Sequence, residues 1–249
     1  MQNVTRTLGA IGVAAALGAS GNAAAENLHI GALVPLTGDL QAYGETSENG
    51  ISLAVDEINA AGGVLGEEVE MSTGDTQTAP QAGVDAAQRL VNVDGVNAII
   101  GALSSGVTIP VAESVSVPEG VPQISGASTS PVITGLDDDG FMFRTVPSDA
   151  FQGQALARIA QDSGYESLSV LYINNDYGEG LAESFQAAFT EMGGEIPQMA
   201  AYSKGRSSYR GDLRRVSRGE PEGLVLIGYP QNGQTILRQA VQGGMFENF

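Results

Sequence analysis

Strand-like and helix-like segments alternate along nearly the whole sequence, and this alternation is the strongest constraint on its fold. Short apolar, β-rich segments lie at 28–36, 67–75, 96–103, 121–127 and 141–146, and again at 167–174, 197–203 and 222–229. Segments with apolar residues at helical spacing lie at 44–63, 78–92, 106–117, 149–164, 178–194, 207–219 and 233–244. This order predicts parallel sheets with helices on both faces. Because the pattern restarts after 143–148, we predict two doubly wound α/β lobes with a cleft between them.

One predicted helix, at 106–117, contains a proline at Pro110. We place Pro110 in the first turn of that helix, where its missing N–H group costs little.

The charge distribution supports a division near residue 145. Acids far outnumber bases in 26–144, whereas the excess is much smaller in 145–249. The sequence then stops just after its last predicted helix, where the alternation calls for another strand. We therefore expect an N-terminal lobe at 26–144 and a C-terminal lobe at 145–249 that is incomplete, in a chain truncated at its C-terminus.

The first 25 residues have the pattern of a secretory signal peptide. They carry Arg6, a short apolar core at 8–17 and small residues that end in Ala25. This core is too short to span a membrane, and we expect cleavage after Ala25. The chain has no Cys, so it has no disulfide and no cysteine-linked lipid. A soluble protein of a Gram-negative periplasm fits these features.

The composition argues against several classes of function. A net charge of −18 disfavours nucleic-acid binding, which needs clustered bases. His29 is the single histidine, and no nucleophile elbow, zinc-binding helix, P-loop or dinucleotide motif is present. We therefore expect no metal, no cofactor and no enzymatic activity. The base-rich segment 204–218 is interpreted as a solvated face rather than as a docking site for an acidic partner.

Small hydroxyl residues cluster after two neighbouring predicted strands. Ser104, Ser105 and Thr108 follow the first of these strands. The second cluster contains Ser125, Ala127, Ser128 and Thr129. Ligands of open α/β sheets bind beyond the carboxyl ends of the strands, and a helix start offers N–H groups to an anion. Helix capping explains either cluster alone equally well, but the pair favours a site for a carboxylate.

Three tyrosines are predicted at the same ends of the strands. Tyr43 lies in the first strand-to-helix loop, Tyr177 follows a strand, and Tyr229 ends one. A tyrosine ring offers a flat apolar wall with one hydroxyl group, which suits a small amphipathic ligand. Ordinary loop packing is the alternative for each tyrosine taken singly.

The segment 30–71 resembles the opening of the Leu/Ile/Val-binding periplasmic proteins, which are type I substrate-binding components of ABC transporters. It has a strand, Pro-Leu-Thr-Gly, Tyr-Gly, and a helix with the pattern A-x-x-x-I-N-A-x-G-G. The stretches 99–108, 125–131, 175–185 and 233–240 also match in order.

The resemblance implies roles for individual residues. Ser105 and Thr129 match positions that bind the ligand's α-carboxylate, and the Ala127 carbonyl matches one that binds the ammonium group. Tyr43, Tyr177 and Tyr229 match aromatic residues that enclose the ligand, and we expect Ser104 to bind the ligand as well. Family members continue past Phe249, and that part supplies a further acidic contact to the ammonium and completes both lobes. Some members also have a disulfide, which this chain lacks.

The resemblance predicts a monomer that captures a small amino acid, by default Leu, Ile or Val, and delivers it to an inner-membrane ABC permease. Three alternatives remain open at this point. In the first, the chain is a ligand-binding sensor module with the same fold. In the second, its ligand is another small carboxylate or an amide. A hydrolase that uses Ser105 is the third, and it lacks an evident base.

Overall fold

The computed structural model describes residues 27–246, so the predicted signal peptide at 1–25 lies outside the described residues. The strands are β1 Leu28–Val34, β2 Val69–Asp75, β3 Ala98–Gly101, β4 Gln123–Ser125, β5 Met142–Arg144, β6 Leu168–Ile173, β7 Met199–Tyr202 and β8 Gly223–Ile227. The α-helices are α1 Gln41–Ala60, α2 Pro80–Asn92, α3 Ser105–Val111, α4 Asp149–Asp162, α5 Asp176–Glu191, α6 Arg210–Val216 and α7 Pro230–Gly243. A π-helical segment, Ala112–Ser116, and a 3-10 segment, Pro131–Gly135, complete the described elements.

The described strands form two parallel sheets, which confirms the predicted α/β fold class. The first sheet has the order β2-β1-β3-β4-β5, and the second has the order β7-β6-β8. In the first sheet Leu33 lies opposite both Gly74 and Gly101, so β1 is an interior strand whose carboxyl end lies between those of β2 and β3. In the second sheet β6 is central in the same way.

Helices cover both faces of the second sheet. Successive side chains of β6 point to opposite faces, and each packs against a different pair of helices. Val170 packs with residues of α4 and α5, such as Ala157 and Leu181. Leu171, one residue further on, packs on the other face with residues of α6 and α7, including Leu213. This two-residue period is the geometry of a strand that is buried on both sides.

The segment around Pro110 differs from its prediction. Helix α3 begins at Ser105, so Pro110 lies inside the helix and not in the first turn. Proline cannot donate the hydrogen bond that an interior residue makes to the carbonyl four residues earlier. The helix then continues as the π-helical segment Ala112–Ser116, a form in which the turn is wider.

Two tyrosines also sit differently from their predicted positions. Helix α1 begins at Gln41, so Tyr43 belongs to the first turn of the helix rather than to the preceding loop. Strand β8 ends at Ile227, and Tyr229 occupies the position just before α7. Both tyrosines still lie beyond the carboxyl ends of strands, so they remain at the predicted edge of the sheets although they belong to different secondary-structure elements than predicted.

Candidate functional site

A cleft of about 560 Å³ lies where the carboxyl ends of the two sheets face each other. It is lined by Val34, Leu40, Tyr43, Ser47, Ile51, Ile100, Gly101, Leu103, Ser105, Gly126, Ala127, Thr129, Gln152, Tyr177, Gly228, Tyr229 and Pro230. The structure therefore brings together six of the residues singled out in the sequence, Tyr43, Ser105, Ala127, Thr129, Tyr177 and Tyr229, whereas Ser104, Thr108, Ser125 and Ser128 do not line the cleft. Among the described residues, no Lys or Arg lines the cleft.

Ser105 opens helix α3 at the wall of the cleft. Its Oγ accepts a hydrogen bond from the N–H group of Ser130 at 3.2 Å, so its own hydroxyl proton is available to another acceptor. The first N–H groups of any helix lack partners within the helix. The Ser105 corner therefore offers an incoming anion only neutral donors.

Ser104 lies behind this wall rather than in it. It is buried, and its Oγ is 2.8 Å from the hydroxyl oxygen of Tyr229, which comes from the other sheet. Asn175 donates a second hydrogen bond to the same tyrosine oxygen at 3.2 Å. Ser104 thus connects the two sheets through the back of the cleft.

The other hydroxyls of the two clusters hold the loops in place. Ser125, Ser128 and Thr108 all donate to the carbonyl oxygen of Ala102, at 2.6, 3.2 and 3.1 Å. These three side chains are fully buried. The hydroxyl residues after β3 and β4 therefore fall into two groups. Ser125, Ser128 and Thr108 stabilise the loops, whereas Ser105 and Thr129 line the cleft.

Thr129 is paired with a buried carboxyl group that sequence reasoning missed. Its Oγ1 donates to Asp149 Oδ2 at 2.8 Å, and the N–H group of Asp149 donates to the Thr129 carbonyl at 2.7 Å. Asp149 is 0% exposed, and its Oδ1 has no hydrogen-bond partner within residues 27–246. Because the Thr129 hydroxyl proton is used in this hydrogen bond, its oxygen can act only as an acceptor toward other groups.

Burial raises the pKa of Asp149, against the opposing effects of the Thr129 hydrogen bond and the nearby charge of Arg144. Arg144 does not contact the carboxyl group by a hydrogen bond, because its Nη1 donates to the carbonyls of Thr129 and Ser130 at 3.3 and 2.8 Å. Asp149 opens helix α4, where an acid is ordinarily explained by the helix dipole. Only its pairing with Thr129 distinguishes it, and that pairing is not visible in the sequence.

Two tyrosines from the second sheet form the opposite wall. The rings of Tyr177 and Tyr229 are stacked, with centroids 5.7 Å apart and planes within 8°. Burial, together with the negative charge of Asp149 and the neighbouring Tyr229, raises the pKa of Tyr177 to about 12. Both rings therefore present neutral, largely apolar surfaces at physiological pH. Tyr43 faces the cleft from α1 and is half exposed.

Apolar side chains that the sequence did not single out enlarge the cleft. Val34, Ile51, Ile100 and Leu103 line it, and they come from three strand or helix segments of the first sheet and the loop after β3. In the sequence, each of these four residues belongs to an apolar pattern that is typical of ordinary core positions. Within residues 27–246 no cluster of three metal-ligating side chains is found, and no helix is both long and apolar enough to cross a bilayer.

Comparisons with known proteins agree with this architecture. A family model described as "Periplasmic binding protein" matches residues 27–248, and the chain therefore belongs to that family. A Leu/Ile/Val-binding protein homologue of Brucella melitensis is 30% identical over 96% of this chain and 64% of its own length. A leucine-, isoleucine-, valine-, threonine- and alanine-binding protein of Pseudomonas aeruginosa is 29% identical over 100% of this chain and 65% of its own.

Solved structures with the same fold include a leucine-binding protein of Thermotoga maritima. It has a TM-score of 0.80 at 30% identity, and the match covers 87% of this chain and 61% of that protein. A branched-chain amino-acid binding protein of Streptococcus pneumoniae in complex with isoleucine has a TM-score of 0.76 at 28% identity, covering 88% and 62%. The chain thus spans somewhat over three fifths of the length of these relatives.

Proposed function

We propose that the chain is the periplasmic substrate-binding component of an ABC transporter and captures a small amino acid, most naturally a branched-chain one. The observation that carries this proposal is the cleft itself. Its wall offers neutral donors at Ser105 and an apolar lining with no base among residues 27–246, and the buried Asp149 carboxyl group lies directly behind Thr129 of that wall. The relatives that bind Leu, Ile or Val support the same ligand class.

In this proposal the ligand's carboxylate lies against Ser105 and the N–H group of Thr129. The Ser105 hydroxyl has a proton to donate, and the opening turn of α3 adds backbone donors. Hydrogen bonds to a carboxylate are strong when the site is shielded from water. A base is therefore not needed to hold the anion.

The ligand's ammonium group, attached to the same carbon as the carboxylate, lies beside it against the Ala127 carbonyl, Thr129 Oγ1 and Asp149. Thr129 suits a cation because its hydroxyl proton is already donated to Asp149. Asp149 Oδ1 is buried and lacks a partner within the described chain, so an ammonium would satisfy an atom that is costly to leave unpaired. This assignment adds Asp149 to the residues expected from the sequence and gives the Thr129 side chain to the ammonium rather than to the carboxylate.

The side chain of the ligand is enclosed by apolar and aromatic walls. Tyr177 and Tyr229 close one side, Tyr43 closes another, and Val34 and Ile100 line the floor. Burying an aliphatic side chain of Leu or Ile size contributes about 1.5–3 kcal/mol. That amount favours branched-chain ligands over glycine or alanine.

The proposal includes the cellular setting as well. The chain acts as a monomer of two lobes, 26–144 and 145–249, which close on the ligand and present the closed form to an inner-membrane permease. It reaches the periplasm through the signal peptide at 1–25, which is cleaved after Ala25, and it performs no chemical reaction on its ligand.

A thermal-unfolding series tests this function. A ligand that binds only the folded chain must raise the unfolding midpoint. We expect L-leucine, L-isoleucine and L-valine to raise it, and leucinamide and 4-methylpentanoate, which lack the carboxylate and the ammonium respectively, to fail. Ser105→Ala should lose the shift by leucine, whereas Ser207→Ala, an exposed serine away from the cleft, should keep it. A cooperative transition that no amino acid moves would refute the assignment.

A further inference from the structure

The loop between β1 and α1, residues 37–40, docks onto the second sheet at the mouth of the cleft. Leu40 belongs to the first half of the chain, yet its side chain is buried among Leu171, Tyr202 and Tyr229. An apolar side chain that leaves its own lobe to enter the core of the other stabilises the approach of the two lobes. We call residues 37–40 the mouth loop.

Two polar contacts join the mouth loop to the second half of the chain. Gln231 Nε2 donates to the Gly38 carbonyl at 3.2 Å. Lys204 Nζ lies 3.5 Å from Asp39 Oδ2 and donates to the Thr78 carbonyl at 2.6 Å. Within residues 27–246, Asp39 Oδ2 is buried without a hydrogen-bond partner, so the Lys204 ammonium is the charge that compensates it.

The acceptor side of the Lys204 contact is held in an unusual backbone conformation. Gln77 and Thr78 both have φ of 51°, a left-handed conformation that non-glycine residues adopt at a cost. The Thr78 hydroxyl accepts from the N–H group of Leu40 at 3.0 Å, which ties this turn to the mouth loop. Gly38 permits the contact, because a Cβ atom there would lie 2.1 Å from the Gln77 carbonyl oxygen.

The donor side is also held firmly. Lys204 lies between β7 and α6, and its neighbour Gly205 donates to Asn232 Oδ1 at 3.2 Å. The buried Tyr209 hydroxyl donates to the same oxygen at 2.7 Å, and the Arg206 guanidinium lies 4.9 Å from the Tyr209 ring centroid. The loop that carries Lys204 is therefore anchored to both helices that follow it, and the contact costs little conformational entropy.

We propose that Lys204 is a latch residue that stabilises the closed cleft without touching the ligand. This inference rests on the proposed function, since it concerns the closure of that same site. Lys204 does not line the cleft, and it joins Asp39 and Thr78 of one lobe to the loop after β7 of the other. A protein whose competent state is only partly populated has its apparent affinity reduced by that fraction. Loss of the latch should therefore shorten the residence time of the ligand.

The size of the effect follows from the exposure of the contact. The Lys204 side chain is 42% exposed, so the ion pair with Asp39 contributes little alone, whereas the hydrogen bond to Thr78 is charge-assisted. Together they should give roughly a tenfold increase in the dissociation rate when Lys204 is replaced by Met. The association rate should change less, because the open form still presents the same site.

Rate measurements with L-leucine and a distance measurement without ligand test the latch together. Lys204→Met removes the ammonium and keeps the length of the side chain, Lys204→Arg keeps the charge, and Arg214→Met is the control. Arg214 is an exposed base on α6, and its side chain makes no hydrogen bond or ion pair within residues 27–246. Stopped-flow tyrosine fluorescence gives both rates. Because the chain lacks Cys, spin labels placed by Leu53→Cys and Val241→Cys report the separation of α1 and α7.

We expect Lys204→Met to raise the dissociation rate about tenfold and to lengthen the label distance, and Lys204→Arg to recover most of both. Arg214→Met should match the unsubstituted chain. If Lys204→Met does not fold, Asp39→Asn tests the same contact from the other lobe. Equal dissociation rates and distances in Lys204→Met and Arg214→Met would overturn the latch. If the unsubstituted chain binds no L-leucine, the proposed function fails, and the distances alone then decide for or against the latch.

Discussion

Replacing Asp149 with Asn separates binding from folding at this site. The carboxyl group is fully buried, one oxygen accepts from Thr129, and the other lacks a partner within residues 27–246. An amide keeps the shape and can still accept from Thr129, but it removes the negative charge that faces the ligand's ammonium. A hydrogen bond to a charged group contributes about 1.5–3 kcal/mol, so we expect amino-acid binding to weaken roughly 10- to 100-fold.

The same substitution should leave the ligand-free chain at least as stable at neutral pH. Because burial raises the pKa of Asp149, the folded chain holds this proton more readily than the unfolded chain does. The ionised carboxylate therefore destabilises the fold as pH rises through its raised pKa, and the neutral amide avoids that cost. A purely structural residue would lose stability and affinity together.

The affinity for amino acids should also depend on pH, and the raised pKa of Asp149 fixes the direction of that dependence. A protonated Asp149 cannot pair with the ammonium, so amino-acid affinity should fall as pH is lowered through its raised pKa, by up to about tenfold per pH unit. The affinity of Asp149→Asn should be flat over the same range. Isothermal titration calorimetry with L-leucine between pH 4 and pH 7 measures both, and urea unfolding measures stability.

The control for these measurements is Asp162→Asn, on the exposed end of the same helix, where the carboxyl group pairs with Arg158 four residues earlier. Exposed pairs of this kind contribute about 0.3–0.5 kcal/mol to stability, so the Asp162→Asn chain should be nearly as stable as the unsubstituted chain. Because Asp162 does not line the cleft, the affinity of this variant for leucine should be unchanged. An Asp149→Asn chain that binds leucine as tightly as the Asp162→Asn chain, or that keeps the pH dependence, would refute the assignment of the ammonium to Asp149.

Other expectations follow from single contacts. Tyr229→Phe leaves the buried Ser104 Oγ without its 2.8 Å partner, and we expect a loss of about 1–3 kcal/mol in urea unfolding together with weaker leucine binding. Gly153→Ala places a Cβ atom 2.6 Å from Ser184 at the crossing of α4 and α5, and it should destabilise the chain by about 1–3 kcal/mol. Gly50→Ala, an exposed helical position with no atom within 4 Å, should instead stabilise it by about 0.5–1 kcal/mol. Equal unfolding midpoints for the two glycine variants would contradict this packing argument.

The fold was predictable because its determinants are local. Each strand of the second sheet is a short apolar run, and each following helix carries its own apolar stripe, so the order of elements can be read without knowing what packs on what. The boundaries were less accessible. The predicted strand at 121–127 shortens to Gln123–Ser125, and after it the N–H groups of Ala127 and Ser128 donate back to the Ser125 hydroxyl rather than to a neighbouring strand. Pro110 lies inside α3, beyond the first turn of a helix that begins at Ser105, where the sequence pattern gave no reason to expect a proline.

The candidate site was predictable only where it coincides with strand ends. Ser105, Thr129 and the tyrosines could be found because residues beyond the carboxyl ends of parallel strands share one edge. Asp149 could not, because its partner Thr129 lies twenty residues away and an acid at a helix start has an ordinary explanation. Lys204 was interpreted as part of a solvated face for the same reason, since its contact with Thr78 spans 126 residues.

The balance of charge in the cleft bears on which ligands it accepts under the proposed function. A small anion without an ammonium group would leave Asp149 Oδ1 unpaired, because no base among the described residues lines the cleft. A cation without a carboxylate would satisfy Asp149 but leave the donors at Ser105 unpaired. Buried polar groups left unpaired cost about 1–3 kcal/mol each. A zwitterion satisfies both halves at once, so under this proposal selection for amino acids follows from placing neutral donors at Ser105 and the buried acid behind Thr129 next to each other at one wall of the cleft.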